Sequence, residues 1–516
     1  MYRIFLGVLV WTVTSVHAMT LHEKVAQLFV VPIGEDFTEG QMQAVKDLVS
    51  QGIGGVLLKQ GTVAGQRKLL QEIWELAQIR PLSLMDAEWG IAMRLRDVPP
   101  LPRQMTLGAV DDIELIYEVG VAIGKQCRSV FADLNLAPVA DINSARNPII
   151  GTRSFGDDPG QVSLRKEKLR LGIQQQGVGV AQKHFPGHGN VSVDPHQNLP
   201  LIRPFPVDHL NPFQEGLDSV DAIVSAHLAV PELTGEDNLP VTFSAEVIKG
   251  MLRTQWQFPG LIITDGLNMK ALQGYTPREI ALKALQAGHD LLLYGDHIAP
   301  AVDHILFVLV PEGMKAIEEA VESGLLSEEE LNVHVERILA YKRQLKPVDD
   351  ITPIDTTELT RKVFRRAITV LKGEDLVPLP FGPVAVIAGK DAGHFAQFLS
   401  ERDGVDCYTL SDTGWKEDLT RYSCIIAAVT RPEEERWLEL LPTGIPLVVV
   451  LFTPPYAAAD FAHVPGLVIA YEKTEPAQKA AAEILLGLYP SSGHLPVNVP
   501  PFERGSGICN QLTYYK

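Results

Sequence analysis

Short uninterrupted apolar runs recur over roughly the first 290 residues. Each is followed by a segment in which apolar positions return every three or four residues, the period of a half-buried helix. The runs predict strands at 28–32, 54–59, 81–85, 134–139, 178–181, 221–225, 260–264 and 290–294. The periodic segments predict helices at 21–27, 37–51, 63–76, 112–127, 159–176, 245–255 and 277–287. Strands without polar alternation are buried on both faces, which implies a parallel sheet covered by helices. Eight such units fit a (β/α)8 TIM barrel, whose chemistry gathers at the C-terminal strand ends. An open doubly wound sheet shares the same alternation, and pattern alone leaves it open.

Beyond the eighth unit, 318–344 reads as one charged helix, and Pro and Asp at 347–353 break the pattern. We place the catalytic barrel at 19–346, a linker at 347–360 and a smaller C-terminal α/β domain at 361–516, with strands at 384–388, 424–429, 446–452 and 467–471. Few titratable residues fall at those later strand ends, so the second unit reads as structural or as a rim to the cleft. A chain of 516 residues calls for more than one core.

Composition narrows the function. A formal net charge of −18 argues against a nucleic-acid partner, because phosphates demand Lys and Arg. Cys127, Cys407, Cys424 and Cys509 form no C-x-x-C pair, so neither a zinc site nor a disulfide framework is indicated, and buried free thiols are expected. Arg3, the apolar run 4–13 and Val16-His17-Ala18 resemble a secretory signal, which predicts export with residues 1–18 removed. Met19, directly before the first helix, offers a cytoplasmic start as the alternative. No run reaches the roughly 20 apolar residues of a membrane span.

Candidate chemistry is densest between Val178 and Pro200, where Lys183, His184, His188, Asp194 and His196 follow the fifth strand. Asp86, Lys183, His184, His227 and Asp265 all fall at predicted strand ends. Ordinary roles compete with functional ones. Asp265 could cap a following helix, His184 and His227 could pack in the core, Arg153 could pair with Asp157 or Asp158, and His188 could only shape its turn.

Four segments carry a resemblance: K-H-F-P-G-H-G with D-P-H (183–196), N-P-I-I-G-T-R-S-F-G (147–156), N-L-A-P-V-A-D-I-N (135–143) and L-I-I-T-D-G-L-N-M (261–269). Together, and in this order, they resemble glycoside hydrolase family 3, specifically its bacterial β-N-acetylglucosaminidase branch. The resemblance implies a TIM barrel and retaining hydrolysis of terminal GlcNAc from muropeptides or related amino sugars, with no metal or organic cofactor. It implies Asp265 as nucleophile, His196 as acid/base with Asp194 as its partner, and Asp86, Arg153, Lys183 and His184 as sugar-binding residues. A β-glucosidase or β-xylosidase of the same superfamily, which takes its acid from a second-domain carboxylate, is one alternative. A catalytically dead cell-wall binding protein is another. Two departures stand out. Asp86-Ala87-Glu88-Trp89-Gly90 has Trp where the family usually has Gly, either a stacking platform or an obstruction. Pro195 replaces the usual Ser or Thr and restricts Asp194 before it.

Overall fold

The computed structural model describes residues 15–143, 147–189, 191, 198–295, 301–347, 354–380, 382–410, 419–431, 434, 437–438 and 440–510. Eight parallel strands form the larger sheet: β1 (Phe29–Ile33), β2 (Gly55–Leu58), β3 (Leu82–Met85), β4 (Leu134–Asn135), β5 (Gly179–Phe185), β6 (Ala222–Ser225), β7 (Leu261–Thr264) and β8 (Leu292–Leu293). They run in the order β7-β6-β5-β4-β3-β2-β1-β8. A bridge between Ile263 and Leu291 joins the two ends. The sheet is therefore a (β/α)8 barrel, and the open doubly wound alternative falls. All residues of β5 and β7 are buried, since one strand face fills the barrel and the other meets the helices.

Polar caps start the surrounding helices. Thr20 with Glu23, Thr38 with Gln41 and Thr276 with Glu279 form reciprocal capping boxes, which satisfy amides that a first turn leaves open. Helices Ile113–Ser129 and Pro159–Gln175 pack along one another through glycine. A Cβ on Gly120 would stand 2.3 Å from the Leu169 carbonyl oxygen, so nothing larger fits there.

Three elements differ from the sequence expectation. β4 ends at Asn135 instead of 139, short of Pro138, which has no N–H for a ladder. β5 continues to Phe185 because its polar residues find buried partners: Gln182 Nε2 donates to the Phe213 carbonyl at 2.9 Å. The helix expected over 318–344 is two, Val310–Glu322 and Glu328–Arg343. Gly324, at φ 76°, ends the first, and Ser327 caps the second.

The second sheet holds β9 (Thr369–Lys372), β10 (Val384–Ala388), β11 (Val405–Thr409), β12 (Cys424–Val429), β13 (Leu447–Leu451) and β14 (Gly466–Ile469), in the order β11-β10-β12-β13-β14-β9. Only β9 is antiparallel to its neighbour. Its two faces go to different cores. Ala385, Ile387, Ile425 and Ala427 join the core that continues into the barrel. Val384, Val386, Ile426 and Val450 pack on Phe395 and Ile484. The polar edge strand β11 escaped the sequence reading because it buries no apolar face. Six residues of the expected linker, 348–353, lie outside the described residues, and its last four already belong to helix Thr357–Ala367. All four cysteines are free, but Cys407 and Cys509 are exposed, correcting the expectation of buried thiols. Among the described residues no helix is long and apolar enough to cross a membrane.

Candidate active site

The C-terminal ends of β3 and β5 bring opposite charges together below the protein surface. Asp86 follows β3, and its Oδ1 accepts from Lys183 Nζ at 2.8 Å while Oδ2 accepts from Arg94 Nη2 at 2.5 Å. Glu88, two residues on, lies 2.8 Å from the same ammonium. Arg153 grips Glu88 with two bonds, Nε to Oε2 at 2.9 Å and Nη2 to Oε1 at 2.7 Å. Such charge-assisted, bidentate pairs hold geometry as well as charge. Burial pushes the carboxyls of Asp86 and Glu88 up, but Lys183 with Arg94, and Arg153 with Lys183, outweigh it and hold both well below the usual range. Burial likewise opposes the Lys183 ammonium, and Asp86 and Glu88 more than restore it.

His184 is held from two sides. Its Nδ1 lies 2.6 Å from Asp141 Oδ2, and Arg153 Nη2 lies 3.1 Å from its Nε2. Asp141, fully buried on the loop after β4, also accepts the N–H of His188 at 2.6 Å. Asn147 Nδ2 donates to the His188 carbonyl at 2.6 Å. The His188 ring is buried, neither nitrogen has a hydrogen-bond partner among the described residues, and burial pushes its pKa down to about 4.

Asp265 follows β7 directly. Its Oδ1 accepts the N–H of Gly266 at 2.8 Å. Burial raises its carboxyl, while His184, His227, that N–H and Lys183 bring it down to about 2. His227, after β6, lies 2.6 Å from Thr242 Oγ1 and 3.0 Å from the Gly266 carbonyl, so it braces the turn behind Asp265. Asp265 does not cap a helix: its carboxylate bonds to the next amide, and the next helical turn begins at Lys270.

Asp86, Arg153, Lys183, His184 and Asp265 are thus gathered into one cluster. Arg153 pairs with Glu88, not with Asp157 or Asp158. Those two accept from Arg504 at 2.8 and 3.0 Å instead. Asp194, Pro195 and His196 lie outside the described residues. Trp89 is half-buried, with the Arg103 guanidinium 4.0 Å from its ring centroid. Sequence reasoning missed the roles of Glu88 and Asp141. Both stood inside quoted motifs, and only their tertiary partners distinguish them from ordinary acidic residues. Among the described residues, no cluster of His, Cys, Asp and Glu could hold a metal ion. The arrangement offers a half-buried anionic carboxylate beside a wall of charged donors and acceptors, suited to an uncharged polyhydroxylated ligand.

The family model for the glycosyl hydrolase family 3 N-terminal domain matches residues 20–341. The chain belongs to glycosyl hydrolase family 3. This family 3 hydrolase is 31% identical over 277 residues to a β-hexosaminidase of Xylella fastidiosa, an alignment covering 51% of this chain and 82% of that protein. It is 23% identical over 554 residues to a β-N-acetylglucosaminidase/β-glucosidase of Cellulomonas fimi, covering 95% of each. Among solved structures, a family 3 β-N-acetylglucosaminidase from Paenibacillus sp. FPU-7 superposes with a TM-score of 0.79 at 28% identity, covering 93% of this chain and 99% of that one.

Proposed function

We propose that this enzyme is a retaining exo-β-N-acetylglucosaminidase acting on terminal GlcNAc of muropeptides or related amino sugars, and that it is exported. Asp265 attacks the anomeric carbon to form a glycosyl-aspartate, and His196, oriented by Asp194, protonates the leaving group and later activates water. Asp86, Arg153, Lys183 and His184 hold the sugar hydroxyls.

The observation that carries this reading is the protonation pattern of the acids. Asp86, Glu88, Asp141 and Asp265 are all held below the ordinary carboxylate range. None can serve as proton donor near neutrality. Asp265 suits the nucleophile, and the acid must come from elsewhere. An imidazole on the loop after β5, with an ordinary pKa near ~6.5, fits that need. The Paenibacillus relative's name supports GlcNAc in the subsite, and the Xylella relative's name supports a hexosamine there. The Cellulomonas relative's double name supports a second reading, β-glucosidase activity.

Comparing aryl β-GlcNAc with aryl β-glucoside, beside Asp265→Ala, tests the proposal. The GlcNAc substrate should be turned over with the higher kcat/KM. A preference for the glucoside would favour the second reading, and no turnover of either would favour a binding protein. A fluorinated sugar that slows the second step should leave its adduct on 261–269.

A further inference from the structure

The loop between β4 and helix Pro159–Gln175 meets the second domain at two places: its far end, Asp157 and Asp158, pairs with Arg504, and its near end is tied through the amide of Asn143. Asn143 is buried, and its Oδ1 accepts the N–H of Asn147 at 3.0 Å. Its Nδ2 donates to the Gly151 carbonyl at 3.0 Å and to the Tyr456 phenol oxygen at 2.7 Å. A primary amide has two N–H donors, and these two partners use both. Tyr456 belongs to the turn Pro455–Ala459, which follows β13 of the second sheet.

Two branches lead from Asn143 into the site. Gly151 opens the turn Gly151–Arg153, whose last residue grips Glu88 and contacts His184. Asn147 holds the His188 carbonyl, the His188 amide meets Asp141, and Asp141 meets the His184 ring. Both branches end on His184, and one carries Arg153. The Xylella relative is far shorter than this chain, so the barrel activity does not require a second domain in every member of the family.

We propose that Tyr456 is a positioning residue: at the near end of this loop the second domain, through the Tyr456 hydroxyl, helps set the turn that places Arg153 and His184 for ligand. It acts through Asn143. The identity of the ligand rests on the function proposed above; the bracing does not. Removing the hydroxyl leaves one N–H of a buried amide without a partner. That group recovers a hydrogen bond only by turning toward water, which moves the loop with it. Arg153 and His184 then bind ligand from a looser average position, while Asp265, directly after β7, keeps its own.

Tyr456→Phe tests this with two readouts. Hydrogen exchange should speed up across 147–156, and KM for the aryl glycoside should rise about fivefold to tenfold, the scale of one lost hydrogen bond, with kcat within about twofold. Lys362→Ala is the control. It breaks a solvent-exposed pair between the second domain and Glu118 of helix Ile113–Ser129, 3.1 Å long, and should change neither readout. Tyr456→Leu serves as a second variant if the phenylalanine folds poorly. Unchanged exchange over 147–156 in a folded Tyr456→Phe overturns the proposal. So does an equal response in Lys362→Ala, which would mean general domain docking. If the wild type turns over no aryl glycoside, the functional reading fails, and the exchange experiment still decides Tyr456.

Discussion

Two buried glutamates stand just past the C-terminal ends of parallel strands, one in each sheet. Glu88 follows β3, and its oxygens meet the side chains of Arg153 and Lys183. Glu434 follows β12, and its oxygens meet single-proton donors: the backbone amides of Thr430 at 2.7 Å, Arg431 at 3.2 Å and Lys390 at 3.2 Å, and the Thr430 hydroxyl at 3.2 Å. Residue type, burial and place relative to the strand are alike. The partners differ. A guanidinium has five donors and an ammonium three, so each keeps some for a ligand after binding Glu88. An amide or a hydroxyl has one, and Glu434 uses it up. A charged strand end becomes a binding wall when its partners are side chains with donors left over. It becomes a cap when each has a single proton to give.

The largest test of that contrast concerns Asp265, whose carboxylate, among the described residues, bonds an amide and no cation. Asp265→Ala should cut kcat by about 10⁴–10⁶-fold, the range seen when a nucleophile is lost, with circular dichroism unchanged. A residual rate within tenfold of wild type would move the nucleophile elsewhere.

Next in size is the proton donor. His196→Ala should lose ~10²–10⁴-fold on poor leaving groups and little on good ones. Asp194→Ala should repeat this more weakly, and the double variant should be far from additive. Glu472 is the second-domain control. Burial pushes its carboxyl up, although Thr106 and the Arg103 amide bind it. If Glu472→Gln reproduces the leaving-group dependence and His196→Ala does not, the acid lies in the second domain.

The glutamates themselves come third. Glu88→Gln takes the paired carboxylate from half-buried Arg153 and leaves buried Lys183 only Asp86; it should cost about 3–5 kcal/mol in urea unfolding, with a raised KM in the protein that remains folded. Glu434→Gln should cost about 1.5–3 kcal/mol, the scale of hydrogen bonds to a charged group, and leave KM alone. Equal KM effects would erase the distinction.

The last test is a pH dependence of stability, not of activity, and it belongs to the barrel. Burial holds His188 and His289 down at about 4. An unfolded imidazole takes its proton near ~6.5, so the unfolded state binds more protons below that value. Stability is therefore complete above about 6.5 and falls as pH drops toward about 4, by on the order of 3 kcal/mol for each group. Thermal melts from pH 7 to 4.5 should show it, and His289→Gln should flatten the slope.

The eight barrel strands were legible because burial on both faces leaves uninterrupted apolar runs. The site was legible where polar residues end such runs, as at Asp86, Lys183 and Asp265. What sequence hid was partnership. Nothing local says that Glu88 meets Arg153, 65 residues away, or that Asp141 meets His184. Arg153 stood nearer in sequence to Asp157, and proximity misled because Arg504 takes that carboxylate. The break at Gly324 was readable. A Ser followed three residues later by Glu, Ser327 and Glu330, marks a helix start, but the charged run on both sides masked it.

The grip of Arg504 on Asp157 and Asp158 bears on the order in which the enzyme becomes competent. A ribosome releases the chain from its N-terminus, and Arg504 emerges roughly 350 residues after Arg153. At about 5–20 residues per second that is a delay on the order of 20–70 s. Through that interval all eight barrel strands are already made, while the segment beside Arg153 still lacks its clasp. The segment beside Arg153 is clasped by residues synthesised long after the barrel, so a nascent barrel is assembled well before this part of the candidate site is secured.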